Sequence, residues 1–190
     1  MTIKNKHFQM KNALLIGISA VLFASCSTPK TYFNSSVRTQ VERSAISLDK
    51  LQYYVDRDVE IRREVASSSA KVASGVIKLE NGKYVNIITL KKNTPGVCTK
   101  AYADKMDISF EVGEGKYLTF GKLKNSDVYA AYTLYANSWL NNLGEINYDG
   151  QRYYILPQGS EARLMIKKNV LHTIKVDKRE MNGRKVADSN

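Results

Sequence analysis

Two dipeptides limit the fold more than any other feature of the sequence. Asn81-Gly82 and Asp149-Gly150 each interrupt a run of alternating apolar and polar residues. The favoured two-residue hairpin turn needs positive φ at both central positions, which Asn, Asp and Gly adopt at least cost. The first turn therefore pairs Glu80 with Lys83 and Leu79 with Tyr84, across strands drawn from residues 76–90. The second joins strands within 146–156 and puts Ile146, Tyr148, Tyr153 and Ile155 on one face. Both hairpins need further strands beside them, because an isolated hairpin is marginal in water.

Those strands are legible elsewhere. Leu51, Tyr53 and Val55 alternate with Gln52, Tyr54 and Asp56; Asp56-Arg57-Asp58 then forms a tight turn before Val59 and Ile61 resume the pattern. Residues 105–112 alternate most strictly, with Met106, Ile108, Phe110 and Val112 apolar and Lys105, Asp107, Ser109 and Glu111 polar. Strict alternation predicts a strand with one buried and one wet face. Pro95-Gly96 is read as the turn before a strand over 97–102, and Gly113-Glu114-Gly115 as the turn into 116–123. The run 128–139 permits helix or strand, and its tyrosines and threonines favour strand. Residues 162–166 and 170–176 are read as a hairpin about Lys168-Asn169, followed by a shorter one at Asn182-Gly183. One helix is expected over 37–46, capped by Ser35 or Ser36, with Val37, Val41 and Ile46 along one stripe. About ten short strands without alternating helices predict a mostly β fold, an antiparallel sandwich or barrel with one short N-terminal helix.

The first 25 residues have a different design. Lys4, Lys6 and Lys11 precede an apolar run from residue 13 to 24 that ends at Leu22-Phe23-Ala24-Ser25-Cys26. The run is shorter than the ~20 apolar residues of a membrane span, and its charge layout matches a cleaved secretory leader. The small residues before Cys26 resemble the lipobox of bacterial lipoproteins, where the cysteine is acylated after the leader is cut. This divides the chain into a signal peptide (1–25), a lipidated cysteine with a polar tether (26–36) and a single β-rich domain (37–190). With Cys26 acylated, Cys98 is the one remaining thiol. No acidic run follows Cys26. The expected location is the cell envelope, lipid-anchored in the outer membrane and facing the periplasm.

The functional candidates are few. Hydrophobic residues make up 43% and charged residues 25%, so the body is a globular domain and not a disordered tail. Without the leader lysines, 26 Lys and Arg stand against 18 Asp and Glu. Residues 163–185 hold eight of those cations (among them Arg163, Lys167, Lys168, Lys175, Lys178 and Arg179) and only two acids. Anionic headgroups attract each surface Lys or Arg by ~1 kcal/mol, so the region is expected to dock on anionic lipid or on an acidic envelope protein. Tyr132, Tyr135, Trp139, Tyr153 and Tyr154 are candidate aromatic platforms for an alternative role, a module that binds a glycan or an apolar ligand. Cys98 and His172 form the one thiol–base pair available to an enzyme. Cys98 lies in no hydrolase motif, and His172 alternates with Val170, Ile174 and Val176, so a catalytic role is not expected. Asp56-Arg57-Asp58-Val59-Glu60 lacks the glycine of a calcium loop, and Cys98 with His172 falls short of the four ligands of a closed zinc site. Gly113-Glu114-Gly115-Lys116 lacks phosphate-loop spacing. Neither a metal, a cofactor nor nucleic acid is expected as a partner.

The segments LDKLQYYVDRDVEIRREV (48–65), TPGVCTK (94–100), YTLYANSW (132–139) and YDGQRYYILPQGSEARLMIKK (148–168) resemble an uncharacterised family of lipid-anchored envelope lipoproteins from Bacteroides-type Gram-negative bacteria. The resemblance spans most of the chain after Cys26. It implies the anchor and a β-rich domain, and it carries no catalytic residue with it.

Several buried acyl chains hold a protein on a membrane for good, whereas one holds it weakly. Cys26→Ala is therefore expected to give soluble or unprocessed protein on fractionation. A cleaved mutant that still partitions fully with membranes would contradict the anchor.

Overall fold

The computed structural model describes residues 28–66, 76–123 and 125–172, together with Met181. Among these residues the chain is mostly β, in two antiparallel sheets. The first sheet has seven strands in the order β1 (Lys30–Tyr32), β13 (Leu164–Lys167), β2 (Gln52–Val55), β6 (Gly96–Ala101), β7 (Lys105–Ser109), β8 (Leu118–Gly121) and β9 (Thr133–Leu134). The second has six: β10 (Ser138–Leu140), β11 (Leu143–Tyr148), β12 (Gln151–Ile155), β3 (Val59–Val65), β5 (Lys83–Leu90) and β4 (Val76–Glu80). The architecture is sandwich-like and not a closed barrel.

Both diagnostic turns form as their sequences dictate. Asn81 and Gly82 take φ of 48° and 76°, and Asp149 and Gly150 take 52° and 67°. Glu80 pairs with Lys83 and Leu79 with Tyr84 across β4 and β5. Ile146, Tyr148, Tyr153 and Ile155 are all buried on one face of the β11–β12 hairpin.

The Asp56-Arg57-Asp58 turn carries the chain from the first sheet to the second, since β2 and β3 belong to different sheets. Asp56 fastens this corner to β13: one carboxylate oxygen accepts from the Arg163 backbone N–H at 2.8 Å and the other from Arg163 Nε at 2.7 Å.

Several sequence expectations are corrected. The helix, α1, spans Ser35–Arg43, and its cap is Asn34, whose side chain accepts from the Val37 N–H at 2.8 Å. Residues 30–33, expected to be part of a tether, belong to the domain, because β1 already lies in the sheet and Phe33 is fully buried. The strand expected over 105–112 stops at Ser109, whose hydroxyl has the carbonyls of Glu111 and Lys116 as acceptors at 2.7 and 2.9 Å, sharing its one proton where the chain turns. Val112 is consequently exposed and Phe110 only half-buried. Asp107, assigned to the wet face, is buried and accepts from the hydroxyls of Tyr102 and Thr119. The turn placed at Pro95-Gly96 lies three residues earlier, at Lys92-Asn93, closed by the Thr94 N–H on the Lys91 carbonyl with Asn93 at φ 64°, and Gly96 opens β6. A Cβ on Gly96 would meet the Phe110 ring at 2.6 Å, so glycine there seats an aromatic.

Residues 128–139 yield two strands in different sheets, β9 and β10, because Ala136 between them dips into the core. The hairpin about Lys168-Asn169 does not form. Strand β13 pairs instead with β1 and β2, and residues 169–172 make one helical turn, α3 (Asn169–His172); a second single turn, α2 (Pro157–Ser160), precedes β13. The Asn182-Gly183 hairpin lies outside the described residues.

Phe33 is the test of this architecture. It is fully buried, edge-on to Tyr53 and Tyr132 at centroid distances of 5.5 and 5.4 Å. Phe33→Ala is expected to cost about 3–5 kcal/mol in urea unfolding, as for a large core aromatic. A loss below about 1 kcal/mol, typical of a surface site, would return Phe33 to a tether.

Candidate functional site

The antiparallel pairing of β1 with β13 sets Lys30 directly opposite Lys167. One residue further, the Lys168 N–H donates to the Pro29 carbonyl at 2.8 Å. Lys30, Lys167 and Lys168 thus gather where the chain arrives from Cys26, three residues before Pro29. Like charges opposite one another in a sheet repel. Among the described residues none of the three lysines has a carboxylate partner, and Lys30 Nζ lies 4.6 Å over the Tyr54 ring. Lys168 is exposed and Lys167 half-buried. Among the described residues the patch is a cationic surface with no paired carboxylate, beside Pro29.

Lys30 was hidden from sequence reasoning by its assignment to the tether. The available signal was the alternation of Lys30 and Tyr32 with Thr31 and Phe33, cut short by Asn34.

Arg163 does not share the freedom of the lysines. Its guanidinium pairs with Asp56 and stacks 4.1 Å over the Tyr32 ring, and the Asp56 carboxylate raises its pKa above the ordinary arginine value. Arg163 is thus a clamp between the sheet corner and β1. Cys26, Lys175, Lys178 and Arg179 lie outside the described residues.

The five aromatic candidates separate. Tyr132 and Tyr153 are core residues, 1% and 2% exposed. The Tyr153 hydroxyl donates to Asn86 Oδ1 inside the second sheet. Tyr154 is exposed on the outer face of β12, opposite Glu145 of β11. Only Tyr135 and Trp139 come together, 44% and 47% exposed, on the wall of a groove of about 660 Å³ shared with Arg57, Lys122, Glu161 and Arg163. That volume falls in the ~300–1,000 Å³ range of small-molecule sites. A second, apolar slot lies between the sheets, walled by Val59, Ile61, Ile88, Leu90, Phe110 and Leu118. At its rim the Tyr148 hydroxyl donates to Glu111, and burial, reinforced by that carboxylate, pushes the phenol's pKa up. At about 180 Å³ the slot is too small for most such ligands.

Cys98 and His172 are not joined by a hydrogen bond. Cys98 is buried on β6 under residues 45–49, whereas His172 is exposed at the end of α3. Among the described residues no three His, Cys, Asp or Glu side chains cluster as a metal site, and no helix is long and apolar enough to cross a membrane. Compared with protein-family models, curated proteins and solved structures, the chain matches none of them.

Burial pushes the Cys98 thiol above its ordinary pKa. The thiolate is the reactive form, so at neutral pH less of it is present than in a free cysteine. Iodoacetamide should therefore label native Cys98 far more slowly than the urea-unfolded chain, with the rate rising only at alkaline pH. Labelling as fast as a model thiol at pH 7 would contradict the buried placement.

Proposed function

We propose that this protein is a non-catalytic lipoprotein of the cell envelope, held by acylated Cys26 in the outer membrane and facing the periplasm. Its domain rests on the membrane through the cationic patch of Lys30, Lys167 and Lys168. One observation carries this reading: the pairing of β1, which begins a few positions after the proposed anchor, with β13 brings together three lysines that have no carboxylate partner among the described residues.

The physical logic runs from repulsion to docking. Lys30 and Lys167 face each other across the sheet at a cost that an anionic surface relieves. The anchor keeps the domain near the bilayer, so the patch has only to orient it. At ~1 kcal/mol for each lysine near an anionic surface, three lysines contribute about 3 kcal/mol, enough to favour one orientation by roughly 100-fold. The attraction fades within a Debye length of about 8–10 Å at physiological salt, so it acts only on a domain already held close.

The test uses the chain from Ser27 to Asn190 and vesicles containing anionic lipid. Binding at low salt, falling steeply as salt rises, is expected. Reversing Lys30, Lys167 and Lys168 to Glu should weaken it by more than about 100-fold. Binding that is absent at low salt, or unchanged by the triple reversal, would contradict the proposal.

A further inference from the structure

The groove beside Tyr135 and Trp139 has a second set of features that the cationic patch does not use. Trp139 lies opposite Gly144 across β10 and β11. Gly144 has no positive φ, so its backbone does not require glycine. The ring does: a Cβ at Gly144 would stand 2.8 Å from Trp139 Cη2. The Trp139 ring is therefore laid against the sheet, with nearly half of the residue's surface open. Tyr135 is placed similarly. Its N–H donates to the Thr119 carbonyl at 2.8 Å, its ring edge passes 3.5 Å from where a Gly121 Cβ would be, and it too is nearly half exposed. Two large rings seated on glycines and nearly half exposed are stacking platforms, and the Tyr135 ring also has Lys105 Nζ 5.0 Å from its centroid.

The charges around them are largely paired. Arg57 bonds Glu161 at 2.8 Å, and Arg163 bonds Asp56, just outside the groove, at 2.7 Å. Lys122 and Asp104 complete the lining, with Lys105 beside the Tyr135 ring. With both guanidinium groups held by carboxylates, the groove presents no vacant guanidinium fork to an anion. It offers fixed donors and acceptors at its rim, together with Ser160 and Thr133 hydroxyls. Flat aromatic faces with polar groups around them fit one chemical class best. A pyranose ring presents a C–H face to an aromatic π-surface, which is electron-rich at its centre. Its hydroxyls at the same time bond fixed carboxylates and guanidinium groups.

We infer that this groove binds an uncharged saccharide, with Tyr135 and Trp139 as stacking platforms and the Arg57–Glu161 pair as a hydroxyl-binding rim. The site does not depend on the cationic patch or on the anchor. A soluble glycan and a glycolipid headgroup both present such a ring, and the chemistry of recognition is the same.

Trp139 is the chain's one tryptophan, so its emission reports on this groove alone. The experiment titrates the full-length protein, in a sugar-free detergent, with chitotriose, maltotriose, cellotriose and mannotriose. A second arm uses the same protein with vesicles of zwitterionic lipid, with and without digalactosyl diacylglycerol. A saturable shift in emission with a trisaccharide, or one that depends on the glycolipid, is expected; the arm that responds identifies the source. Tyr135→Phe should retain the response and Tyr135→Ala should weaken it at least about tenfold. The exposed Tyr135 side chain makes both variants compatible with folding, and each is checked by its unfolding curve. No saturable response in either arm, or a response equal in Tyr135→Ala, would overturn the inference.

Discussion

Phe33 joins three distant parts of the chain, and both candidate surfaces depend on it. Its N–H donates to the Leu164 carbonyl and its own carbonyl accepts from the Tyr132 N–H, each at 2.8 Å. Its ring stands edge-on between Tyr53 and Tyr132, an arrangement in which each aromatic pair adds about 0.5–1.5 kcal/mol beyond area burial. The backbone bonds hold β1 against β13 and so set Lys30 beside Lys167. They also fix Tyr132, from which β9 runs on to Tyr135 at the groove. Further bonds, from the Leu164 N–H to the Tyr132 carbonyl and from the Leu134 N–H to the Ala162 carbonyl, tie the start of β9 to the start of β13.

Arg163 links the two surfaces, with its own charge taken up by Asp56. It stacks on Tyr32 of β1, pairs with Asp56 at the crossing between sheets, and lines the groove of Tyr135 and Trp139. A guanidinium is suited to this work because its planar fork stacks and bonds in fixed directions, whereas an ammonium is a flexible point charge. The lysines of the cationic patch are the reverse case. Long, and without a carboxylate partner among the described residues, they suit a surface whose charges are not fixed in position.

What was legible in the sequence is what local chemistry determines. Asn81-Gly82 and Asp149-Gly150 dictated their turns, the turns dictated register, and register put Ile146, Tyr148, Tyr153 and Ile155 on one face. Contacts made across the sheets were not legible. Alternation assigned Asp107 to water, but hydroxyls from Tyr102 and Thr119 satisfy its carboxylate inside. Alternation also extended the strand through Val112, while the Ser109 hydroxyl ended it. Lys30 to Phe33 is too short a run to show a period, and only its pairing with β13 makes it a strand. Of the five aromatic candidates, the sequence could not separate core Tyr132 and Tyr153 from exposed Tyr135 and Trp139. All lie in strand-like runs, and which side faces in depends on the partner sheet.

The claim that unites these features is that the β1–β13 end of the domain rests on the membrane. Its most direct test is the depth of nitroxide labels on the Cys26-lipidated protein in anionic vesicles, with buried Cys98 left unlabelled. A label at Lys168 is expected to be shielded from a water-soluble relaxation agent. A label at Leu79, exposed on β4 of the other sheet, is expected to be fully accessible. Equal accessibility at the two positions would contradict the claim.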